Sequence, residues 1–313
     1  MTATLEELRA LATAPPDTLE FVPCAVCGER EVILLHRKAS PEGEVFPIVR
    51  CTTCGLVYVN PRRGQDTLTD VYRESLYYEN ADGVTSGYDN YLADREILAI
   101  FFNLQLDTIE RHLGSRGRLL DVGCAVGFLL DEARRRGWRT AGVELSEFAS
   151  NYARQTMHLD VRSQTLRDAQ CPGGHFDAVV MDDVVEHFGD PEAELRETWR
   201  VTRSGGVLLI HTPNVDSPWY TLMRKHWVHL KPGEHLYYFS PSTLSTLLGR
   251  VGFRVISARP CGKATHGDYI VGRVKYYNRP LGQLLRRLTA GMPLMRRPFA
   301  FRSGEMEIVA VKL

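Results

Sequence analysis

The chain has 313 residues, 44% hydrophobic and 24% charged, enough for one large core and a smaller satellite unit. Its 38 lysines and arginines equal its 38 aspartates and glutamates, which excludes a global attraction to nucleic acid or membrane and leaves only local basic surface. No apolar run reaches the length of a membrane span, and the amino terminus lacks a basic stretch followed by an apolar one, so the expected location is cytoplasmic.

In chain order, "TLEELRALATAPP" places Thr4 and Glu7 at capping-box spacing and predicts a short helix ended by Pro15 and Pro16, within an opening segment 1–20. Of seven cysteines, Cys24, Cys27, Cys51 and Cys54 form two C-x-x-C-G knuckles separated by strand-like runs, and three are scattered. That pattern suits a metal site in a reducing compartment better than a disulfide framework. Four thiolates complete a tetrahedral structural Zn2+ site over residues 21–62 and leave no open position for metal-assisted catalysis. A redox dithiol or an iron site is the alternative, and neither explains two matching knuckles as well. A tyrosine-rich stretch follows, read as a linker or lid over 63–87. Residues 92–113 carry apolar positions at helical spacing and stop at Gly114.

From there strands and helices alternate. Strands are expected at 119–122, 140–144, 176–181 and 205–211, and helices at 128–136, 147–157 and 192–201. A further helix has Ser240 as cap, Pro241 at its first position and Gly252 as stop. Such alternation predicts an α/β fold, a parallel sheet with helices on both faces. Two last apolar runs, 253–257 and 307–312, flank a long insertion.

The stretch "LLDVGCAVGF" is the informative one: a buried strand ending in Asp121 breaks into a loop of Gly123, Ala125 and Gly127. In open parallel sheets ligands sit at the carboxyl ends of the strands, and the first strand-to-helix turn anchors them. A dinucleotide fingerprint would need glycines where Ala125 and Phe128 stand, and a Walker loop would need Gly-Lys-Ser/Thr. A carboxylate at the strand end repels phosphate but suits a cofactor bearing an ammonium group, a positive sulfur and free hydroxyls. Glu144, at the end of the next strand, can accept from both hydroxyls of a ribose.

The runs "LLDVGCAVGFLL", "GVELSEFA", "FDAVVMDDVVEHFGDP" and "RSGGVLLIHTPN" resemble the successive motifs of class I S-adenosylmethionine-dependent methyltransferases, covering residues 88–313 with an insertion at 262–304. The resemblance implies a Rossmann-like, doubly wound, mostly parallel seven-stranded sheet preceded by the small zinc ribbon. It places Asp121, Gly123, Ala125, Gly127 and Glu144 around S-adenosyl-L-methionine, with Ala125 in place of the commoner glycine. Main-chain groups of Thr165 and Leu166 would meet the adenine, although the usual Gly-Asp is missing there. Asp182 and Asp183 would stand beside the methyl group, with a helix cap the alternative for either, Asp183 above all.

Methyl transfer needs a base only when the acceptor arrives protonated, and a histidine neutral near pH 7 fits a hydroxyl acceptor. His187 is the first candidate, with Glu186 orienting it or joining it on a divalent ion; the bland alternative is that the pair packs the next helix. His235, in "GEHLYYFS", is the second, and His226 and His229 flank Trp227 nearby. The insertion holds no acidic residue between Asp268 and Glu305, and Leu281, Leu284, Leu285 and Leu288 recur at helical spacing among arginines. It reads either as a lid helix packing its leucines on the sheet or as a surface for an anionic or lipid-linked substrate, with peripheral membrane contact. The expected activity is O-methylation of a sugar, glycan or other small hydroxylated metabolite. Methylation of ribosomal RNA would call for a net basic chain, so no nucleic-acid partner is expected. A noncatalytic cofactor-binding scaffold is the third possibility.

Overall fold

The computed structural model describes residues 4–40, 43–64, 91–92, 94–274, 278–297 and 299–313, so nearly all of the tyrosine-rich stretch lies outside the described residues. Thr4 and Glu7 cap α1 (Leu5–Leu11) reciprocally, and Leu8 of that helix is fully buried. The strands β1 (Leu19–Glu20), β2 (Val32–Ala39), β3 (Val45–Cys51), β4 (Val57–Val59) and β5 (Arg62–Arg63) follow. Next comes α2 (Arg95–Leu113), whose C-cap Gly114 has φ 68, the left-handed ending a glycine permits.

The alternating part gives β6 (Arg118–Val122), α3 (Phe128–Arg135), β7 (Arg139–Val143), α4 (Glu147–Gln155), β8 (Val161–Arg162) and β9 (Phe176–Asp182). It continues through α5 (Pro191–Val201), β10 (Thr202–Pro213), α6 (Pro218–Met223), β11 (Tyr237–Tyr238) and α7 (Pro241–Val251). The chain closes with β12 (Phe253–Thr265), α8 (Gly267–Val274), α9 (Arg279–Thr289) and β13 (Phe299–Lys312). Seven strands form one sheet in the order β12, β13, β10, β9, β6, β7, β8. Pairing is parallel from β10 to β8, and β13 runs antiparallel between β10 and β12.

Strand residues alternate between two cores, as a pleat with both faces covered requires. Leu119, Ala178, Val180 and Leu209 pack under α2, α3 and α4, while Leu120, Val179, Met181, Leu208 and Ile210 pack under α5 and α7. The second core is continuous with the amino-terminal unit, taking in Leu8, Cys24, Val26, Val49, Leu56 and Tyr58. The four-stranded sheet of that unit, ordered β11, β4, β3, β2, also borrows β11 from the loop after β10.

Two expectations change. The last strands run well past 253–257 and 307–312, because β12 and β13 pair with each other as far as Thr265 opposite Phe299. These arms mix apolar residues such as Phe299 and Phe301 with Arg259, Lys263 and Arg302, and they take up both ends of the 262–304 insertion. The lid-helix reading of α9 also fails: Leu281, Leu284 and Leu288 are 45%, 53% and 60% exposed rather than packed on the sheet.

Candidate active site

The small-residue loop between β6 and α3 turns through three left-handed positions, Gly123 (φ 73), Ala125 (φ 48) and Gly127 (φ 85). A Cβ on Gly123 would sit 2.5 Å from Val184 Cγ2, and one on Gly127 would sit 2.4 Å from Leu159 Cδ1, so both positions need glycine for space as well as for φ. Ala125 holds the strained conformation while its N–H donates to Glu144 Oε2 at 2.9 Å. The other oxygen of Glu144 accepts from Ser146 N at 2.8 Å. Glu144 thus fastens the loop to the end of β7, and each carboxylate oxygen retains acceptor capacity.

Asp121 and Glu144 are buried, and burial together with the charges of Asp182 and Glu144 pushes the Asp121 carboxyl well above the usual carboxylate range. Carboxylates converging at one buried rim suit a ligand that brings positive charge and hydroxyl donors. Thr165 and Leu166 follow β8. The Thr165 hydroxyl is engaged with Asp168 at 2.7 Å and Leu166 lies in the core, so these residues offer main-chain groups.

Across the sheet, Asp182 ends β9 and Asp183 follows at φ 52. Asp183 is not a helix cap. Its carboxylate pairs with Lys263 of β12 and with His211 Nδ1 at 3.0 Å, and that nitrogen is also 2.9 Å from Asp182 Oδ1. Burial would raise the Asp183 pKa, but Lys263 and His211 outweigh it and hold the group well below the usual range. Burial would likewise lower that of His211, yet Cys261, Asp183 and Asp182 keep it well above the ordinary imidazole value. His211 and Lys263 were missed by sequence reasoning. A histidine closing an apolar strand is the signal that marks His211, as the aspartate closing β6 marks Asp121; nothing local marks Lys263.

A second cluster joins Glu186, His187 and His235, with one potential ligand atom from each lying within 4.8 Å of the others. Glu186 is buried and its Oε2 accepts from Thr212 Oγ1 at 2.8 Å. Burial and the Asp183 charge push its carboxyl up to about 8. His187 Nδ1 faces the Glu234 carbonyl at 2.8 Å, and the His187 and His235 rings meet edge to face at 4.7 Å. Burial lowers the pKa of both imidazoles, that of His235 well below its ordinary value with His187 adding to the effect. Among the described residues, Glu186 Oε1 and His235 Nδ1 are buried without a hydrogen-bond partner. His229 stands further along the same loop, 3.1 Å from Ser303 Oγ of β13, whereas His226 is exposed.

The amino-terminal unit braces this cluster. Leu236 N–H donates to the Glu186 carbonyl at 2.9 Å, and the Leu236 carbonyl accepts from Val59 N–H at 2.9 Å. Buried Arg62 donates to Glu20, to the Tyr237 hydroxyl and to the Gly189 carbonyl, each at 2.9 Å. Two turns closed by Gly28 and Gly55 bring Cys24 within 3.3 Å of Cys54 and Cys27 within 3.5 Å of Cys51. Burial pushes the Cys54 thiol up to about 11 and raises that of Cys24; burial would raise that of Cys51 too, but hydrogen bonds from backbone groups of Cys54 and Thr53 lower it. The cluster is compatible with a zinc ribbon.

A family model described as "Methyltransferase domain" matches residues 91–258. The "Ubiquinone biosynthesis O-methyltransferase" of Chromobacterium violaceum is 30% identical over 163 residues, 48% of this chain and 70% of that protein. The protein of the same name from Azoarcus sp. is 30% identical over 167 residues, 49% of this chain and 72% of its own. Among solved structures, a SAM dependent methyltransferase from Archaeoglobus fulgidus superposes at TM-score 0.49 with 17% identity, over 71% of this chain and 99% of that one. The chain belongs to the methyltransferase domain family.

Proposed function

We propose that the chain methylates a hydroxyl oxygen of a small metabolite, in the narrower form a sugar or glycan, with His187 as the base. The observation that carries this reading is the tautomer of His187. A backbone carbonyl only accepts, so Nδ1 bears the hydrogen that points at Glu234 and Nε2 bears the lone pair. With its pKa lowered by burial, the imidazole is neutral at pH 7 and ready to take a proton. The printed O-methyltransferase names of the relatives support oxygen as the acceptor atom. The hydrogen-bonding side chains of His229, Ser303 and Glu305 on the adjoining loop and strand suit an acceptor with several hydroxyls.

When bound, the cofactor supplies a methyl group on a positively charged sulfur. Asp121 and the loop Gly123, Ala125 and Gly127 would hold its amino-acid end, Glu144 its ribose hydroxyls, and main-chain groups of Thr165 and Leu166 its adenine. Asp182 lies beside the transfer path, and Asp183, fixed by Lys263 and His211, keeps the end of β9 in place. As the acceptor oxygen takes the methyl group, and the methyl–sulfur bond breaks to leave a neutral thioether, the hydroxyl proton passes to His187 Nε2, while the Glu234 carbonyl and the His235 ring hold the imidazole. Zinc on Cys24, Cys27, Cys51 and Cys54 serves structure. A second reading, a divalent ion on Glu186, His187 and His235, is favoured by the buried Glu186 Oε1 and His235 Nδ1, both without hydrogen-bond partners.

The test is tritium-labelled methyl transfer to cell extract fractionated into small metabolites, glycans, RNA and protein. Label is expected in the small-metabolite or glycan fraction. His187→Ala is expected to abolish it while cofactor affinity stays nearly intact. Normal turnover by that variant rejects His187 as base, and label confined to RNA rejects the acceptor class. Loss of turnover on chelation, restored by a divalent ion, selects the second reading.

A further inference from the structure

The structure assigns a lipid-docking surface to α9: we infer that its exposed leucines, bordered by Arg287 in a segment rich in arginine and free of carboxylates, seat the enzyme on an anionic bilayer. At about 100° per residue, Leu281, Leu284 and Leu288 fall within roughly 60° of one another on the helix surface. The helix rests on the other flank, where Gly282 is buried and Leu285 and Thr289 are half-buried. The leucine stripe is therefore turned outward, and Arg287 borders it. In the segment that follows the helix, Met292, Leu294 and Phe299 are also large and exposed, at 51%, 71% and 45%. Isolated exposed leucines need no explanation, but a stripe of three followed by three more large apolar residues does.

Charge chooses the occupant. Between Asp268 and Glu305 the chain has arginines and one lysine but no carboxylate, in a protein whose total charge is zero. A symmetric contact with a second copy would set this patch against itself and bring like charges together. An anionic lipid surface gives the leucines an apolar medium and the arginines their counter-charges, the two signals that a short interfacial helix needs to hold. With 11 residues, α9 is about 16 Å long, too short to cross a bilayer and suited to lying in its surface. Because β12 runs parallel to β10, its Thr265 end carries α8 and α9 at the same edge of the sheet as Asp182 and the acceptor mouth. A bilayer under α9 thus lies on the side from which an acceptor arrives. The inference is independent of the identity of the base or the acceptor.

The test is co-sedimentation of the full chain with vesicles of phosphatidylcholine alone or mixed with phosphatidylglycerol, at low and high salt. Binding is expected to the mixed vesicles, weaker at high salt, and little to phosphatidylcholine alone. Replacing Arg286 and Arg287 together by Gln should lower the partition coefficient about tenfold or more, and Leu284→Glu with Leu288→Glu should abolish binding. Both variants should keep the thermal midpoint and cofactor affinity of the parent. The inference is overturned if the parent stays in the supernatant with phosphatidylglycerol vesicles or if both variants bind undiminished. It is also overturned if the leucine variant turns a sedimenting dimer into a monomer while no vesicle is bound, which would give the stripe to a second copy.

Discussion

At Ala125 the cofactor loop places an L-residue at φ 48, where a Cβ meets the following carbonyl at a cost of about 1–2 kcal/mol. Gly123 and Gly127 avoid that cost; Ala125 bears it while donating to Glu144. Ala125→Gly should relieve the strain, offset in part by the greater freedom of glycine in the unfolded chain, for a net gain of about 0.5–1 kcal/mol. Calorimetry should show a midpoint raised by about 1–3 °C; a lowered midpoint would mean that the alanine methyl packs favourably in the loop. Residues such as Asp121, Ala125 and Glu144 were legible because the chemistry of a strand end and its turn is local. His211, Lys263 and Glu234 acquire their roles from partners 28, 80 and 47 residues away, and only the sheet and its loops bring those together.

Among the elements, the helices were read with nearly correct limits because capping residues and left-handed glycines act within one turn. The cysteine knuckles were legible for the same reason. What spacing could not reveal is that β11, two tyrosines in a loop far along the chain, completes the amino-terminal sheet by pairing Tyr237 with Tyr58 and Tyr238 with Val57. A two-residue strand has no periodicity. Through that pairing Arg62 reaches the Gly189 carbonyl and the Tyr237 hydroxyl, on either side of the Glu186–His187–His235 cluster. Arg62→Met should leave the Gly189 carbonyl and the Tyr237 hydroxyl with only their mutual hydrogen bond of 3.3 Å, and cost about 1–3 kcal/mol of stability. It should also lower kcat more than it weakens cofactor affinity, because the loops of His187 and His235 loosen while the β6–β7 rim is untouched. A variant with parental kcat and pH profile but a lower midpoint would reduce Arg62 to a purely structural role.

In the whole molecule, the amino-terminal unit and the large sheet share a continuous core, and that unit packs against the loops that carry Glu186, His187 and His235. Charge is partitioned at this scale too: the insertion is basic, the rest of the chain carries the balancing acid, and the cofactor rim gathers Asp121, Glu144 and Asp182 at the ends of neighbouring strands. On the proposed reading, that concentration of carboxylate would take up a sulfonium nucleoside, and the proposed methyl transfer depends on it. Its most direct measurement is titration calorimetry of S-adenosylmethionine into the zinc-loaded protein and into Glu144→Gln. One equivalent should bind the parent, and the variant should bind about tenfold or more weakly, the loss expected for a charge-assisted bond to the ribose. No heat of binding in the parent, or equal affinity in the two proteins, would contradict the assignment of this rim to the cofactor.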